Sequence, residues 1–169
     1  DSINKRLVLA LDKLAHANLT LNTLNIDDIP LYNQDNEANL PPAVARLKQE
    51  IASADGVLLV TPEYNRSVPG VLKNIIDWGS RPYGQSCWMN KPLSIIGTSP
   101  SSVGTGIAQV HLRSVMVSLG AVVMGQPEVY LAYTNELIDA NFTITNDGSR
   151  QFLQGFLDTF AHWVESHSK

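Results

Sequence analysis

The feature that most constrains the fold is a short apolar run, residues 56–60, followed at once by a polar loop and a helix. Gly56 to Val60 shows no polar alternation, as in a parallel strand buried on both faces. Thr61-Pro62 ends the run, because proline cannot donate to a sheet and forces the preceding residue into extended backbone. Pro69-Gly70 then opens a segment with apolar residues at helical spacing. Ligands of open α/β sheets bind outside the carboxyl ends of the strands, so the loop between them is the first candidate site.

Apolar periodicity extends this pattern along the chain. It predicts helices over residues 2–17, 42–54, 107–119 and 150–166, with Asp1 or Ser2 capping the first. It predicts further strands over residues 19–26, 92–98, 121–124 and 129–131, the last two separated near Pro127. Such alternation indicates a parallel sheet covered by helices on both faces. The 169 residues fit one domain, 1–169.

Composition narrows the class of protein. Hydrophobic residues make up 44% of the chain and charged residues 17%, which is typical of a folded globule. Lysine and arginine are scattered and the net charge is −4, whereas nucleic-acid binding requires clustered basic residues. No apolar run approaches the roughly 20 residues of a membrane span. Cys87 is the single cysteine and favours a reducing compartment. We expect a soluble cytoplasmic protein that binds neither nucleic acid nor membrane.

Three segments of the chain resemble one known family. Residues 61–78, TPEYNRSVPGVLKNIIDW, followed by Ser80-Arg81-Pro82, are similar to the NAD(P)H-dependent FMN reductases, which include quinone, chromate and azo-dye reductases. Residues 97–113, from GTSP to HLR, resemble a second block of that family. The opening Ser2-x-Asn4 looks like the end of its phosphate-binding loop. The segments stand in the family's order and cover most of the chain.

The resemblance implies a flavodoxin-like fold, three layers α/β/α with a parallel sheet in the order 2-1-3-4-5. A doubly wound domain of this kind begins with a strand, and this chain begins with a helix. The first strand of that order lies inside the sheet. We therefore expect an upstream strand, with part of the loop after it, that the 169 residues lack.

The resemblance also implies the cofactor, FMN, and NADPH or NADH as hydride donor. Ser2 and Asn4 would bind the phosphate at the start of the first helix, where backbone N–H groups favour an anion. The flavin ring would be enclosed by residues of the two loops, namely Pro62, Glu63, Tyr64, Asn65 and Ser99. The flavin itself carries the redox chemistry, so we name no catalytic residue and no metal ligand.

Several of these residues have a plainer interpretation. Ser2 alone would be an ordinary helix cap, and Glu63 alone a solvated loop charge. We expect Arg81, Tyr83 and Trp88 to lie at a subunit interface instead of contacting the ligand. The four histidines and Cys87 are not spaced like metal ligands or like a nucleophile with its base.

The leading hypothesis is an FMN-dependent NAD(P)H oxidoreductase that passes two electrons to quinones, azo compounds, metal oxyanions or free flavin. One alternative is a flavodoxin-type electron carrier, and another is a flavin-free binding module. We expect a homodimer or homotetramer, because Trp78, Tyr83 and Trp88 bring more aromatic surface than a small domain covers easily.

Overall fold

The computed structural model describes residues 2–168, and its elements follow the predicted alternation. Two helices and one short 3-10 turn precede the first strand, and each strand is followed by a helix or a connecting loop. The elements in chain order are α1 (Ile3–Leu14), α2 (Pro42–Ser53), β1 (Val57–Val60), α3 (Gly70–Gly79), β2 (Pro92–Ser99), α4 (Gly106–Ser118), β3 (Val122–Val123), β4 (Tyr130–Ala132) and α5 (Asp147–His167), with the 3-10 turn at Gln34–Asn36.

The strands form a parallel sheet with β2 at its centre. Strand β1 pairs along one edge of β2, from Val57 opposite Leu93 to Val60 opposite Ile96. On the other edge β3 pairs with the start of β2 and β4 pairs with its end. The interruption near Pro127 is thus confirmed, since β3 and β4 act as two halves of one strand position. The observed order β1-β2-β3 corresponds to positions 3-4-5 of the predicted sheet.

Two apolar clusters lie on opposite faces of this sheet. One joins α1 and α5 to Ile96, and the other joins α2, α3 and α4 to Leu93 and Ile95. The alternation of side chains along β2 separates the clusters, because successive residues of a strand point to opposite faces. The three-layer α/β/α architecture is therefore confirmed.

The prediction of a strand over residues 19–26 is wrong. Within the described residues the segment belongs to no helix or strand and forms no ladder with another strand. Its apolar residues still pack on both layers, Leu19 and Leu21 against the α1 cluster, Leu24 and Ile26 against the α2 cluster. The apolar alternation thus predicts the burial of these side chains correctly, but the segment forms no β-sheet hydrogen bonds.

Both tryptophans assigned to an interface are instead core residues. Trp78 is 0% exposed and Trp88 is 1% exposed. Each indole N–H donates to a backbone carbonyl within the chain, Trp78 to Pro30 at 2.8 Å and Trp88 to Ile76 at 3.0 Å. Of the three predicted interface aromatics only Tyr83 is exposed, at 91%. The chain by itself therefore covers more aromatic surface than expected from the sequence.

Candidate functional site

Two loops meet at the carboxyl edge of the sheet. The first, residues 61–67, leaves β1, and the second, residues 99–106, leaves the neighbouring strand β2. Because β1 and β2 are parallel, their carboxyl ends lie side by side, as predicted. The predicted loop residues Pro62 to Asn65 and Ser99 are therefore brought together at one edge.

A close backbone approach fixes the spacing of these two loops. Gly97, near the end of β2, has no side chain, and a β-carbon there would lie 2.0 Å from the Thr61 carbonyl oxygen and 2.5 Å from Thr105 Oγ1. Thr61 begins the first loop and Thr105 ends the second, and both are fully buried. Only glycine fits this junction. Gly97 was not a predicted site residue, although an isolated glycine inside an apolar strand is a signal for such an approach.

Glu63 links the first loop to helix α4. Its Oε2 atom accepts the backbone N–H groups of Ile107 at 3.0 Å and Ala108 at 3.1 Å. A carboxylate at a helix N-terminus is stabilised by the unpaired N–H groups and by the helix dipole. The solvated-charge interpretation of Glu63 is wrong, because its carboxylate is the N-terminal ligand of α4.

The first loop closes in a tight turn over Tyr64 to Ser67. The two end residues exchange backbone hydrogen bonds, Tyr64 N–H to Ser67 at 3.1 Å and Ser67 N–H to Tyr64 at 3.0 Å. The central residues, Asn65 at φ 50° and Arg66 at φ 62°, make it a type I′ turn. Asparagine tolerates this region, whereas other residues with a β-carbon pay about 1–2 kcal/mol for it.

His111 holds this turn from the side of α4. The Ser67 hydroxyl lies 3.0 Å from His111 Nδ1. With the Glu63 contact, α4 therefore holds the first loop at two points, one at its first turn and one a turn further along. Neither partner was singled out as a site residue, and no local sequence signal joins them across 44 positions.

Ser99 organises the second loop through its hydroxyl. Its Oγ atom donates to the Gly104 carbonyl and accepts the Ser101 N–H at 3.2 Å. Gly104 has φ 61°, and a β-carbon there would lie 2.8 Å from the backbone of Tyr130. Burial raises the pKa of the Tyr130 phenol, and neighbouring Glu128 adds to this effect. At neutral pH Tyr130 is thus an uncharged aromatic group beside this loop.

Asn4 ties helix α1 to the end of β2. Its side-chain amide donates to the Thr98 carbonyl at 2.9 Å, and its Oδ1 accepts the Thr98 N–H at 3.0 Å. Asn4 is buried, whereas Ser2 is exposed and caps α1 by accepting the Lys5 N–H at 3.3 Å. Asn4 therefore holds the start of α1 at the carboxyl end of β2, where Thr98 precedes Ser99. The alternative cap, Asp1, lies outside the described residues.

The other predicted interface residue, Arg81, lies at the opposite edge of the sheet. It belongs to the connection that ends at Lys91, directly before β2 begins. Its Nε atom lies 3.8 Å from Glu37 Oε1, and its backbone carbonyl accepts from Lys48 Nζ. Within one chain, Arg81 and Tyr83 are remote from the two loops.

The described residues contain neither a metal-ligand cluster nor a membrane-spanning helix. No three histidine, cysteine, aspartate or glutamate side chains in residues 2–168 are grouped so that they could hold a metal ion. No helix in the same range is both long and apolar enough to cross a bilayer.

Comparison with known proteins gives concordant matches. Residues 1–136 match the family described as NADPH-dependent FMN reductase. A 2-hydroxy-1,4-benzoquinone reductase from a Burkholderia species is 51% identical over 164 residues, which is 97% of this chain and 90% of that protein. A quinone reductase from Pseudomonas putida is 46% identical over 98% of this chain and 89% of its own length. Among solved structures, a flavoenzyme NAD(P)H:(acceptor) oxidoreductase from Paracoccus denitrificans superposes with a TM-score of 0.96 at 45% identity, covering 100% of this chain and 93% of that one.

Proposed function

The chain belongs to the NADPH-dependent FMN reductase family, and from this premise we propose that its electron acceptor is a quinone. The protein is an FMN-dependent NAD(P)H oxidoreductase with a small-molecule acceptor. The choice of a quinone rests on the 51% identity to a 2-hydroxy-1,4-benzoquinone reductase across nearly the whole chain. Family membership favours this function over the one-electron carrier and the flavin-free module.

The residues at the carboxyl edge suit FMN. Helices α1 and α4 both begin there, but the N–H groups of α4 are already taken by Glu63. The start of α1, capped by the Ser2 hydroxyl, carries no such carboxylate among the described residues. We therefore assign the FMN phosphate to α1, where the helix N-terminus favours an anion.

The first loop suits the flavin ring. Within residues 2–168 the backbone N–H groups of Glu63 and Asn65 donate to no protein acceptor, so they are free for the polar edge of a ring. Tyr64 is 61% exposed, and its ring offers an apolar surface beside them. FMN held by these residues would supply the hydride and two-electron transfer chemistry between NAD(P)H and the acceptor. The protein positions it, through Ser2, Pro62, Glu63, Tyr64, Asn65 and Ser99, with Asn4 fixing α1 against β2.

This assignment predicts weaker FMN binding in two variants. Asn65→Ala should raise the dissociation constant of FMN about fivefold, because alanine is strained at φ 50° and loses the side-chain amide. Ser99→Leu should raise it further, since leucine loses both Oγ contacts within the second loop and adds bulk there. Equilibrium dialysis of FMN against apoprotein measures both, with Asn39→Ala, an exposed asparagine, as the control. Wild-type affinity in both variants would contradict the site.

Anaerobic turnover then tests the reaction. After one equivalent of NAD(P)H has reduced the bound FMN, the protein should consume further NAD(P)H only when a benzoquinone is present, in equal molar amounts, because both exchange two electrons. Sustained anaerobic NAD(P)H oxidation over many equivalents without quinone reduction would overturn the acceptor assignment.

We further propose one FMN-binding domain over residues 1–169, located in the cytoplasm and assembled as a homodimer or homotetramer. Support for assembly comes from α4, where Val110 is 54% and Val117 62% exposed on one face with uncharged Ser114 between them. Exposed apolar faces commonly mark interfaces. The unpaired thiol of Cys87 supports a reducing compartment.

The assembly proposal predicts a mass change in solution. Sedimentation at micromolar concentration should give at least twice the chain mass for the wild type. Val110→Lys and Val117→Lys together should reduce this to one chain mass, because two buried ammonium groups would face the interface. Phe152→Lys, which alters an exposed apolar residue on α5, is the control. A wild-type monomer with FMN bound would contradict the proposal.

A further inference from the structure

Arg66 is the one arginine whose side chain has no partner in the described part of the chain. The other five are engaged: Arg46, Arg81, Arg113 and Arg150 lie within 4 Å of a carboxylate, and Arg6 donates to the Ile138 and Asp139 carbonyls. The side chain of Arg66 is exposed. An arginine guanidinium carries five N–H donors and commonly pairs with an acceptor. Arg66 therefore differs from the other arginines in being a free cation.

The position of Arg66 adds a second observation. It stands at the tip of the turn in the first loop, at φ 62°, a region that side chains with a β-carbon disfavour. The turn is held in this form by the paired backbone of Tyr64 and Ser67 and by the Ser67–His111 contact. The backbone that carries Arg66 is therefore fixed, and its guanidinium is presented from a defined point at the rim of the site.

The local charge balance adds a third observation. Among residues 61–67 and 99–106, Arg66 is the only lysine or arginine. The one carboxylate of these two loops, Glu63, is bound by the N–H groups of α4. In a protein of net charge −4, the rim of this site thus carries an unpaired positive charge.

We propose that Arg66 binds the diphosphate of NAD(P)H. This inference rests on the proposed function, because it places the donor at the FMN site. NADH and NADPH share a diphosphate with two negative charges, which lies outside the ring whenever the nicotinamide reaches the flavin. A guanidinium binds phosphate oxygens in a bidentate manner. A neutral benzoquinone carries no anionic group and does not require Arg66.

The test uses Arg66→Asn, because asparagine tolerates positive φ while the substitution removes the guanidinium and its charge. In anaerobic stopped-flow reduction of the FMN-loaded protein, the donor concentration at half-maximal rate should rise about tenfold, equivalent to about 1.4 kcal/mol. The rise should be the same for NADH and NADPH. The FMN dissociation constant and the rate of reoxidation by benzoquinone should stay within twofold of wild type. Arg66→Lys should recover part of the donor affinity.

Binding without turnover gives an independent measurement. ADP-ribose carries the diphosphate but no nicotinamide, and calorimetry should show it binding wild-type protein about tenfold more tightly than Arg66→Asn. Added salt should weaken the wild-type binding more than that of the variant. Lys13→Asn removes one positive charge from the last turn of α1, about nine residues down the helix from Asn4, and should leave ADP-ribose binding unchanged.

The following results would contradict the inference. Unchanged donor and ADP-ribose affinities in Arg66→Asn would remove the diphosphate contact while leaving the proposed function intact. A loss confined to NADPH would assign Arg66 to its additional phosphate, and an equal loss for benzoquinone or FMN would indicate a distorted loop. If the wild type itself fails to bind FMN, the proposed function falls, and this inference falls with it.

Discussion

Replacing Gly97 by alanine should abolish FMN binding at micromolar concentration and lower the free energy of unfolding by about 3 kcal/mol. The added β-carbon would lie 2.0 Å from the carbonyl oxygen of Thr61, a backbone atom that no rotamer change can move. Either β2 or the start of the first loop must shift. Because the same β-carbon meets Thr105, the second loop is displaced as well. The whole site depends on the spacing of these two loops.

Urea unfolding and FMN dialysis of Gly97→Ala measure the two effects. Gly125→Ala is the matched control, because nothing lies within 4 Å of a β-carbon at Gly125. Its free energy of unfolding should remain within about 0.5 kcal/mol of wild type. Wild-type stability together with wild-type FMN affinity in Gly97→Ala would show that the two loops do not meet as closely as described.

Asn4→Ala should lower the free energy of unfolding by about 2–3 kcal/mol, because two buried backbone groups would lose their hydrogen-bond partner. The N–H and the carbonyl of Thr98 both bond to the Asn4 amide. A buried polar group left without a partner costs about 1–3 kcal/mol. The same change frees the start of α1 from β2, so FMN affinity should fall by more than tenfold through loss of the phosphate position.

Asn4→Asp separates the two halves of this contact. An aspartate carboxylate can still accept the Thr98 N–H, but it faces the Thr98 carbonyl without a donor. We expect it to be at least as destabilising as alanine at pH 7. Thermal unfolding measures both variants, and Asn22→Ala, at an exposed asparagine, controls for loss of an amide. If Asn4→Ala unfolds like the control, the link between α1 and β2 contributes nothing to stability.

The sequence allowed the architecture to be predicted because buried strands and amphipathic helices leave local patterns. The apolar run at residues 56–60 and the mainly apolar segment 92–98 predicted β1 and β2, and their parallel pairing placed both loops at one edge. The pattern at 19–26 predicted burial correctly but not pairing. Hydrogen bonding in a sheet depends on the neighbouring strand, and that neighbour is not encoded in the segment itself.

The detailed contacts of the site could not be predicted, because their partners are far apart in sequence. Asn4 bonds to a residue 94 positions away, and Glu63 bonds to N–H groups 44 and 45 positions away. The family resemblance suggested a ligand role for both Asn4 and Glu63, and residue type alone suggested a solvated charge for Glu63. The folded chain gives both side chains structural partners, and in doing so it defines the shape of the site.

The same limit explains the error over Trp78 and Trp88. Each lies next to loop residues in the sequence, which suggested that both could contact a partner subunit. Burial of Trp88 depends on Gly79, where a β-carbon would lie 2.4 Å from the indole. Burial of Trp78 depends on Tyr32, whose ring meets it edge-on at a centroid distance of 5.0 Å. Neither packing partner could be read from the neighbouring residues alone.

The burial of the Trp78 and Trp88 indoles determines what intrinsic tryptophan fluorescence can report. Trp78 and Trp88 should emit at short wavelength, since neither touches solvent, while Trp163 is partly exposed and stacks on His167 at 4.0 Å. Association of subunits through α4 should leave the emission of Trp78 and Trp88 unchanged. A red shift on heating would instead mark opening of the layer built from α2, α3 and α4. Intrinsic emission of this protein therefore separates loss of folding from loss of assembly, without an added dye.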